Sequence, residues 1–323
     1  MLGAKAMASH SFASDIGQAA LIGIDWGSTN ARAFLYDQAG RVLEQRHAPI
    51  GVSRYPGESG VAAMTDWLGA WLSAHPALPM LLCGMAGSKS GWRETGYVPT
   101  PAAVERLVDG LLQFEALGRR VAIVPGVAHE RPGDGFRDVM RGEETQIVGL
   151  PAACMQAARL DLVMTPGTHN KWIHLQAGRM TALATYMTGE MFALLRQHSL
   201  LGPVIVDGPW DEACFLAGVD TALTHPDWLH QLFGVRARGV QGLMPAADLG
   251  QWLSGLLIGY EIQAALNALG SARPSLCGLI ASAALCQRYA SALAHVGIDS
   301  LPIDGDQAAA SGLWQLATRA GLC

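Results

Sequence analysis

Between Leu21 and His47 the apolar positions fall into three short runs set apart by small polar turns: "LIGID", "WGSTN", "ARAFLYD", "QAG" and "RVLEQRHA". Runs of this length, bounded by turns that contain glycine, predict a meander of three strands. From Gly57 to His75 the apolar residues recur every three to four positions, which predicts a helix with Pro76 as its stop. "PMLLCGMAG" (79–87) is a continuous apolar run short enough for a buried strand. "AAVERLVDGLLQFEALG" (102–118) predicts a second helix ending on Gly118, and "RVAIVPGV" (120–127) a further strand. "GDGFRDVMRGEETQIVGL" (133–150) is a turn-rich entry into a helix whose first turn holds Glu143 and Glu144.

The pattern then starts again. "DLVMTPG", "KWIHLQ", the turn "AGR" and "MTALATYMTGE" repeat strand, turn and hairpin, with Gly27 aligned on Gly167, Asn30 on Asn170 and Gly40-Arg41 on Gly178-Arg179. The remainder is mostly helical, with an apolar-faced stretch at 246–270 and a last strand and helix in 275–297. Strands followed by helices, twice over, predict an α/β fold of two duplicated lobes, and 323 residues suit two domains of about 150. The expected organisation is a flexible tail over 1–20, an N-terminal lobe over 21–145 with the first turn, and a C-terminal lobe over 146–323 with the second. No low-complexity linker separates them.

Half of the residues are apolar, 15% are charged and the net charge is -5, a balance that speaks against nucleic acid or a membrane surface as partner. No stretch reaches the roughly 18 apolar residues of a membrane span, and the first twenty residues lack the apolar core of a signal peptide. The six cysteines are scattered without C-x-x-C spacing, so they read as reduced residues of a cytoplasmic protein, neither zinc ligands nor a disulfide framework. "GMAGSKSG" misses the P-loop because Ser88 separates Gly87 from Lys89. "GDGFRD" has Asp138 where a dinucleotide fingerprint needs its last glycine. G-x-S-x-G and H-E-x-x-H are absent from the sequence.

A glycine turn between two strands sets backbone N–H groups in a concave array, and such arrays bind anions. Two of them, one per lobe across a cleft, would grip the phosphates of one nucleotide. The first turn has Asp25 before Gly27, then Ser28, Thr29, Asn30 and Arg32. A carboxylate beside phosphate calls for a divalent cation, and magnesium suits one or two carboxylates plus phosphate oxygens. The second turn has Thr165 in place of Asp25 and adds His169 and Lys171, a set that holds phosphate without metal. Each residue has a plainer role open to it: Asp25 as acceptor for its own turn, Arg32 and Lys171 as hairpin-edge charges, His169 as a polar turn residue. For Glu143 and Glu144 it is that of acids favoured by a helix N-terminus.

"IDWGSTNARAFLYD" followed by "TPGTHNKW" resembles the two phosphate motifs of the sugar kinase, Hsp70 and actin superfamily, whose two duplicated ribonuclease H-like lobes close on ATP in the cleft between them. With "CGMAGSKSGWRETGYVPTPA" (83–102) and "DVMRGEETQ" (138–146), the set is similar to the 2-dehydro-3-deoxygalactonokinase family. The resemblance implies a cytoplasmic enzyme that moves the ATP γ-phosphoryl group to the 6-hydroxyl of a small-molecule sugar acid, 2-dehydro-3-deoxy-D-galactonate, in galactonate breakdown. It puts Asp25 on Mg2+ and Gly27, Ser28, Thr29 and Asn30 on phosphate. Gly167 and Thr168 follow on phosphate with His169 and Lys171 nearby, and adenosine falls near Gly278, Ala281 and Ser282. The superfamily's base precedes the second motif; Glu144 is favoured because it precedes Thr145 as the hexokinase aspartate precedes a threonine, with Glu143 and Asp138 left open.

The substrate's carboxylate and keto group call for cations and donors, and the loop "GSKSGWRETGY" offers Ser88, Lys89, Trp92 and Arg93, with Arg141 further on. Packing is the plainer role for Trp92, and a salt bridge to a nearby acid for Arg141. A same-fold kinase for another sugar acid or hexose derivative, and a non-catalytic nucleotide switch, are the rival readings. A homodimer is left open.

Overall fold

The computed structural model describes residues 19–270 and 273–323. Of the expected tail, 1–18 lie outside the described residues, while Ala19 and Ala20 already open the first strand. The first meander forms β1 (Ala19–Trp26), β2 (Ala31–Asp37) and β3 (Val42–Ala48). Leu21 to Trp26 are buried in unbroken succession because β1 is central: β2 pairs antiparallel on one side and β4 (Met80–Gly84) parallel on the other. The helix predicted over 57–75 breaks at Leu68 into α1 (Glu58–Trp67) and α2 (Gly69–Ala74).

The helix predicted over 102–118 is helical only in α3 (Val104–Asp109); beyond Gly110 the chain runs as β6 (Leu112–Ala116) and turns back into β7 (Arg119–Ile123). Gln113 and Glu115 are exposed while Leu112, Phe114 and Ala116 are half-buried, a period of two, and Leu117 and Gly118 supply the two positive φ angles, 54° and 69°, of a tight hairpin turn. The stretch 133–142 is no plain loop into a helix. It carries a strand of a small separate sheet, β5 (Tyr97–Pro99), β8 (Gly126–Glu130) and β9 (Arg137–Met140), and α4 (Glu143–Ala153) starts only after it. The main sheet runs β3-β2-β1-β4-β7-β6.

The second meander is β10 (Leu162–Thr165), β11 (Asn170–Gln176) and β12 (Arg179–Tyr186). It leads into α5 (Thr188–His198), α6 (Glu212–Thr224), α7 (Trp228–Val240) and the long α8 (Ala246–Leu269). Then come β13 (Leu276–Leu279), α9 (Ala283–His295), β14 (Asp299–Pro302) and the C-terminal helix α10 (Gly305–Arg319). This sheet is ordered β12-β11-β10-β13-β14, which repeats β3-β2-β1-β4-β7 strand for strand, with the same antiparallel meander and the same parallel pair beyond it. Sequence duplication is thus duplication of topology.

The chain divides into two compact units, Ala158–Asp304 and the remainder, so the boundary falls after Ala157 and not at 145/146, and residues 305–323 return to the first unit. The reason is the packing of α4 on α10. A Cβ built on Gly149 would stand 1.9 Å from the Ala308 carbonyl oxygen, and one on Gly312 1.9 Å from that of Thr145, so the two backbones touch where glycine alone fits. Gly312→Ala forces them apart; it is expected to lower stability by about 1–3 kcal/mol, read from urea unfolding, and to shift the start of α4. No described helix is long and apolar enough to cross a membrane.

Candidate functional site

The first turn is built rigidly. Val52, Ser53 and Gly51 donate their N–H groups to the carbonyls of Gly27, Ser28 and Thr29 at 3.1, 2.9 and 2.9 Å, and Gly27 N–H closes on the Asn30 carbonyl at 2.9 Å. Ser28, Thr29 and Asn30 are exposed. Asp25, buried at the end of β1, faces Arg32 in strand register, and the Arg32 guanidinium reaches both Asp25 and Asp306 in the first turn of α10. Burial alone would lower the Arg32 pKa, but the two carboxylates outweigh it and raise it further. Arg32 is therefore not a loose hairpin charge; it links Asp25 to α10. Asp306 also accepts from Gln45 Nε2 at 2.8 Å.

Gly84, at the end of β4 beside Trp26, joins this turn to the glutamates. Its φ of +73° admits glycine, a Cβ there would stand 3.2 Å from Asp25 Oδ1, and a Cβ on Gly142 would stand 3.3 Å from the Gly84 Cα. Glu144 follows immediately, wholly buried, with its carboxylate oxygens accepting the Gly142 N–H at 2.9 and 2.7 Å. Burial first, then the Glu143 charge, pushes its pKa up to about 8. Glu143 is half-buried and accepts the Arg141 N–H at 3.1 Å. The Cys83 thiol is pushed well up by burial and then by Asp25 and Glu144, a sign that both carboxylates act on the same spot. Asp138 lies apart on β9, its Oδ1 accepting the Val139 N–H at 2.7 Å.

The loop after β4 is only partly what its sequence suggests. Lys89 is exposed; Ser88 donates its hydroxyl to the Met85 carbonyl at 2.9 Å. Trp92 packs against the core and meets Phe114 edge-on at 5.3 Å, so packing is its role here. Among the described residues Arg141 makes no salt bridge: it donates to the Thr95 hydroxyl and to the Thr95 and Gly96 carbonyls at 3.1 and 3.3 Å, and lies 4.5 Å over the Tyr97 ring. It anchors the loop. Its buried Nε finds no partner among the described residues.

In the second unit Thr165 faces Lys171 as Asp25 faces Arg32, but the turn between them is one residue shorter. The aligned asparagines therefore differ: Asn30 is exposed, whereas Asn170 is buried. Asn170 Oδ1 accepts the Gly167 N–H at 2.7 Å, and its Nδ2 donates to Glu261 Oε2 at 2.7 Å and to the Tyr289 hydroxyl. Thr168 and His169 are exposed, with the His169 ring 2.5 Å from the Glu190 carboxylate. Lys171 is buried and donates to the Thr185 hydroxyl at 2.8 Å. The Thr165 hydroxyl, in the place of the Asp25 carboxylate, has no partner among the described residues.

Glu261 was not foreseen; the sequence signal is a lone carboxylate within the apolar "GLLIGYEIQAAL" of α8. Gly278 lies in β13, where a Cβ would meet Ile303, Leu160 and Val163. Ala281 is half-buried in the turn after β13, and Ser282 caps α9 by accepting the Leu285 N–H at 3.4 Å. Beside this helix a cavity of about 130 Å³ is lined by Gly167 and Asn170 of the turn, Ser254 and Leu257 of α8, and Leu285 and Arg288 of α9.

The profile of the 2-keto-3-deoxy-galactonokinase family matches residues 25–316. The 2-dehydro-3-deoxygalactonokinase of Escherichia coli (strain K12) is 36% identical over 296 residues, 92% of this chain and 97% of the relative. A crystal structure of a protein given the same assignment, from Sinorhizobium meliloti, superposes with a TM-score of 0.84 at 34% identity, over 93% of this chain and 98% of that one. The activator of the 2-hydroxyisocaproyl-CoA dehydratase from Clostridium difficile, solved with bound ADPNP, shares the fold at a TM-score of 0.53 and 9% identity, over 94% and 96% of the two chains. With a match that spans both meanders and the segments holding Asp25, Glu144 and the second turn, the chain belongs to the 2-keto-3-deoxy-galactonokinase family.

Proposed function

We propose that this kinase transfers the γ-phosphoryl group of ATP to the 6-hydroxyl of 2-dehydro-3-deoxy-D-galactonate. The observation that carries it is the twofold topology, in which each unit ends the first strand of its meander in a glycine turn, joined to family membership along nearly the whole chain.

Phosphoryl transfer needs alignment, charge neutralisation and an acceptor for the hydroxyl proton. The turn at 27–30 is pinned through its carbonyls and its Gly27 N–H closes on Asn30, which leaves the N–H groups beyond Gly27 and the Ser28 and Thr29 hydroxyls for phosphate oxygens. The turn at 167–170, whose Gly167 N–H goes to Asn170 Oδ1 and whose Thr168 carbonyl accepts the Glu190 N–H at 3.0 Å, offers Thr168 and the His169 side chain. The cavity lined by Leu257, Leu285 and Arg288 adjoins the Gly167 turn, and the nucleoside is assigned to that side of the turn. Gly84 lies beside Asp25 on one side and Gly142, two residues before Glu144, on the other. Glu144 takes the proton as the 6-hydroxyl oxygen forms its bond to the γ-phosphorus and the bridging bond to the β-phosphate breaks, releasing ADP. To the acceptor's carboxylate we assign Lys89 and Arg93, exposed on the loop after β4, with Arg93 lying 4.0 Å over the Phe114 ring.

Magnesium fits the donors present: Asp25 offers one carboxylate, of which Arg32 covers Oδ2, and the ion characteristically completes its shell from phosphate and water. When bound it neutralises phosphate charge. We extend the proposal to a cytoplasmic setting and a homodimer, the latter open to sedimentation velocity.

The test is coupled ADP release with magnesium-ATP on 2-dehydro-3-deoxy-D-galactonate, its gluconate epimer, galactose and no acceptor. Turnover is expected with the galactonate compound alone; none on either acid overturns the substrate assignment.

A further inference from the structure

Glu261 is 3% exposed, in the middle of α8, and every group around its carboxylate is a donor. Oε1 receives the Trp172 indole N–H at 2.7 Å; Oε2 receives Asn170 Nδ2 and the Tyr289 hydroxyl, each at 2.7 Å, and the Thr188 hydroxyl. These donors come from β11, α9 and the start of α5, so one carboxylate collects three other elements. Burial raises its pKa on balance, and the four donors limit the rise. The acceptor capacity of a carboxylate is essentially saturated by this set.

The polarity of the network decides the orientation of one amide. With Glu261 as pure acceptor, Asn170 must turn its NH2 toward Glu261, and its Oδ1 is thereby committed to the Gly167 N–H at 2.7 Å. The reverse orientation would set the amide NH2 against the Gly167 N–H, donor against donor. Gly167 itself is boxed in from the other side, since a Cβ on Gly189 would stand 2.0 Å from its carbonyl oxygen. A tie that merely fastened α8 to the sheet would need Trp172 alone. The path through Asn170 ends instead on the backbone of the turn.

We propose that Glu261 is a positioning residue for the second phosphate turn: through the Asn170 amide it sets the Gly167 N–H and so the shape in which Thr168 and His169 are presented. This rests on the reading of that turn as a phosphate site. An interior network of this kind is stiff because each member is satisfied and each depends on the next.

Glu261→Gln keeps size and removes the one-way polarity. In the folded variant the dissociation constant for magnesium-ATP, by titration calorimetry, is expected to rise roughly tenfold or more, while the KM for the acceptor stays within about twofold. Because the effect passes through Asn170, the double variant Glu261→Gln/Asn170→Ala is expected to bind ATP no more weakly than Asn170→Ala alone. Tyr289→Phe removes a donor from Glu261 and a partner from Asn170 with no change of bulk, and is expected to show a smaller shift in the same direction even if Glu261→Gln does not fold. Unchanged ATP binding in the folded variants, or effects of Glu261 and Asn170 that add in full, overturns the proposal and leaves the kinase assignment standing. A wild-type protein that turns over acceptor fails neither; one that binds no nucleotide removes the phosphate role of the turn and this inference with it.

Discussion

Glu144→Gln is expected to reduce turnover by roughly 100-fold or more, to spare nucleotide binding, and to make the fold more resistant to alkali. The three effects share one cause. The carboxylate is wholly buried at the first turn of α4, and burial with the neighbouring Glu143 charge lifts its pKa to about 8. In the folded state the neutral acid is favoured, so its contribution to stability is fully present below the ordinary carboxylate range and is lost as pH rises through about 8. The loss amounts to a few kcal/mol, on the order expected for a shift of this size. A base works in its ionised form, so turnover is expected to climb with pH up to about 8 and level off above it, while thermal stability falls over the same interval. Glutamine cannot ionise: the variant should lose both slopes, its Tm no longer dropping there. Near wild-type turnover in the variant would move the base to Glu143 or Asp138.

The parts of this arrangement that were legible in the sequence are those written locally. Strand, glycine turn and hairpin repeat within short windows, so both meanders and the turns at Gly27 and Gly167 could be read directly. Glu144 could be nominated because it precedes Thr145 ahead of the second motif, a reason the family resemblance supplies. Long-range partners carry no such signature. Arg32 meets Asp306 across 274 residues, and nothing near either announces the other. Glu261 looks like an ordinary interruption of an apolar helix until α5, β11 and α9 are folded around it. Aligned letters also misled in one place: Asn30 and Asn170 match, but the second turn is one residue shorter between paired strand positions, which sends one side chain to solvent and the other inside. At 102–118 the helical pattern of 104–109 was extended across Gly110 into a period-two strand, because Leu112 and Phe114 fit either spacing. At Gly278 the strand interior has its own use for a missing side chain, which the sequence does not announce.

Asp25→Asn is expected to cost turnover on the order of 100-fold and to move the magnesium dependence to higher concentration. The amide keeps the shape of the carboxylate and one acceptor oxygen, but it carries no charge for a cation or for Arg32. Arg32 keeps Asp306, so the guanidinium stays paired and the fold should lose little stability. What changes is the charge at the end of β1, where Oδ2 pairs with Arg32 and Oδ1 lies on the Gly84 side. Removing it leaves Arg32 as the nearest charge to the turn at 27–30, which attracts phosphate but repels a divalent ion. ATP is therefore expected to bind the variant about as well as wild type when magnesium is withheld, and more weakly than wild type when it is supplied. Asp306→Asn separates the two roles of the arginine network, because it loosens Arg32 from α10 while Asp25 stays charged, and it should leave the magnesium midpoint in place. Initial rates across a magnesium titration at saturating ATP and acceptor decide the matter: a midpoint unchanged by Asp25→Asn takes the metal away from Asp25 and leaves it the partner of Arg32 alone.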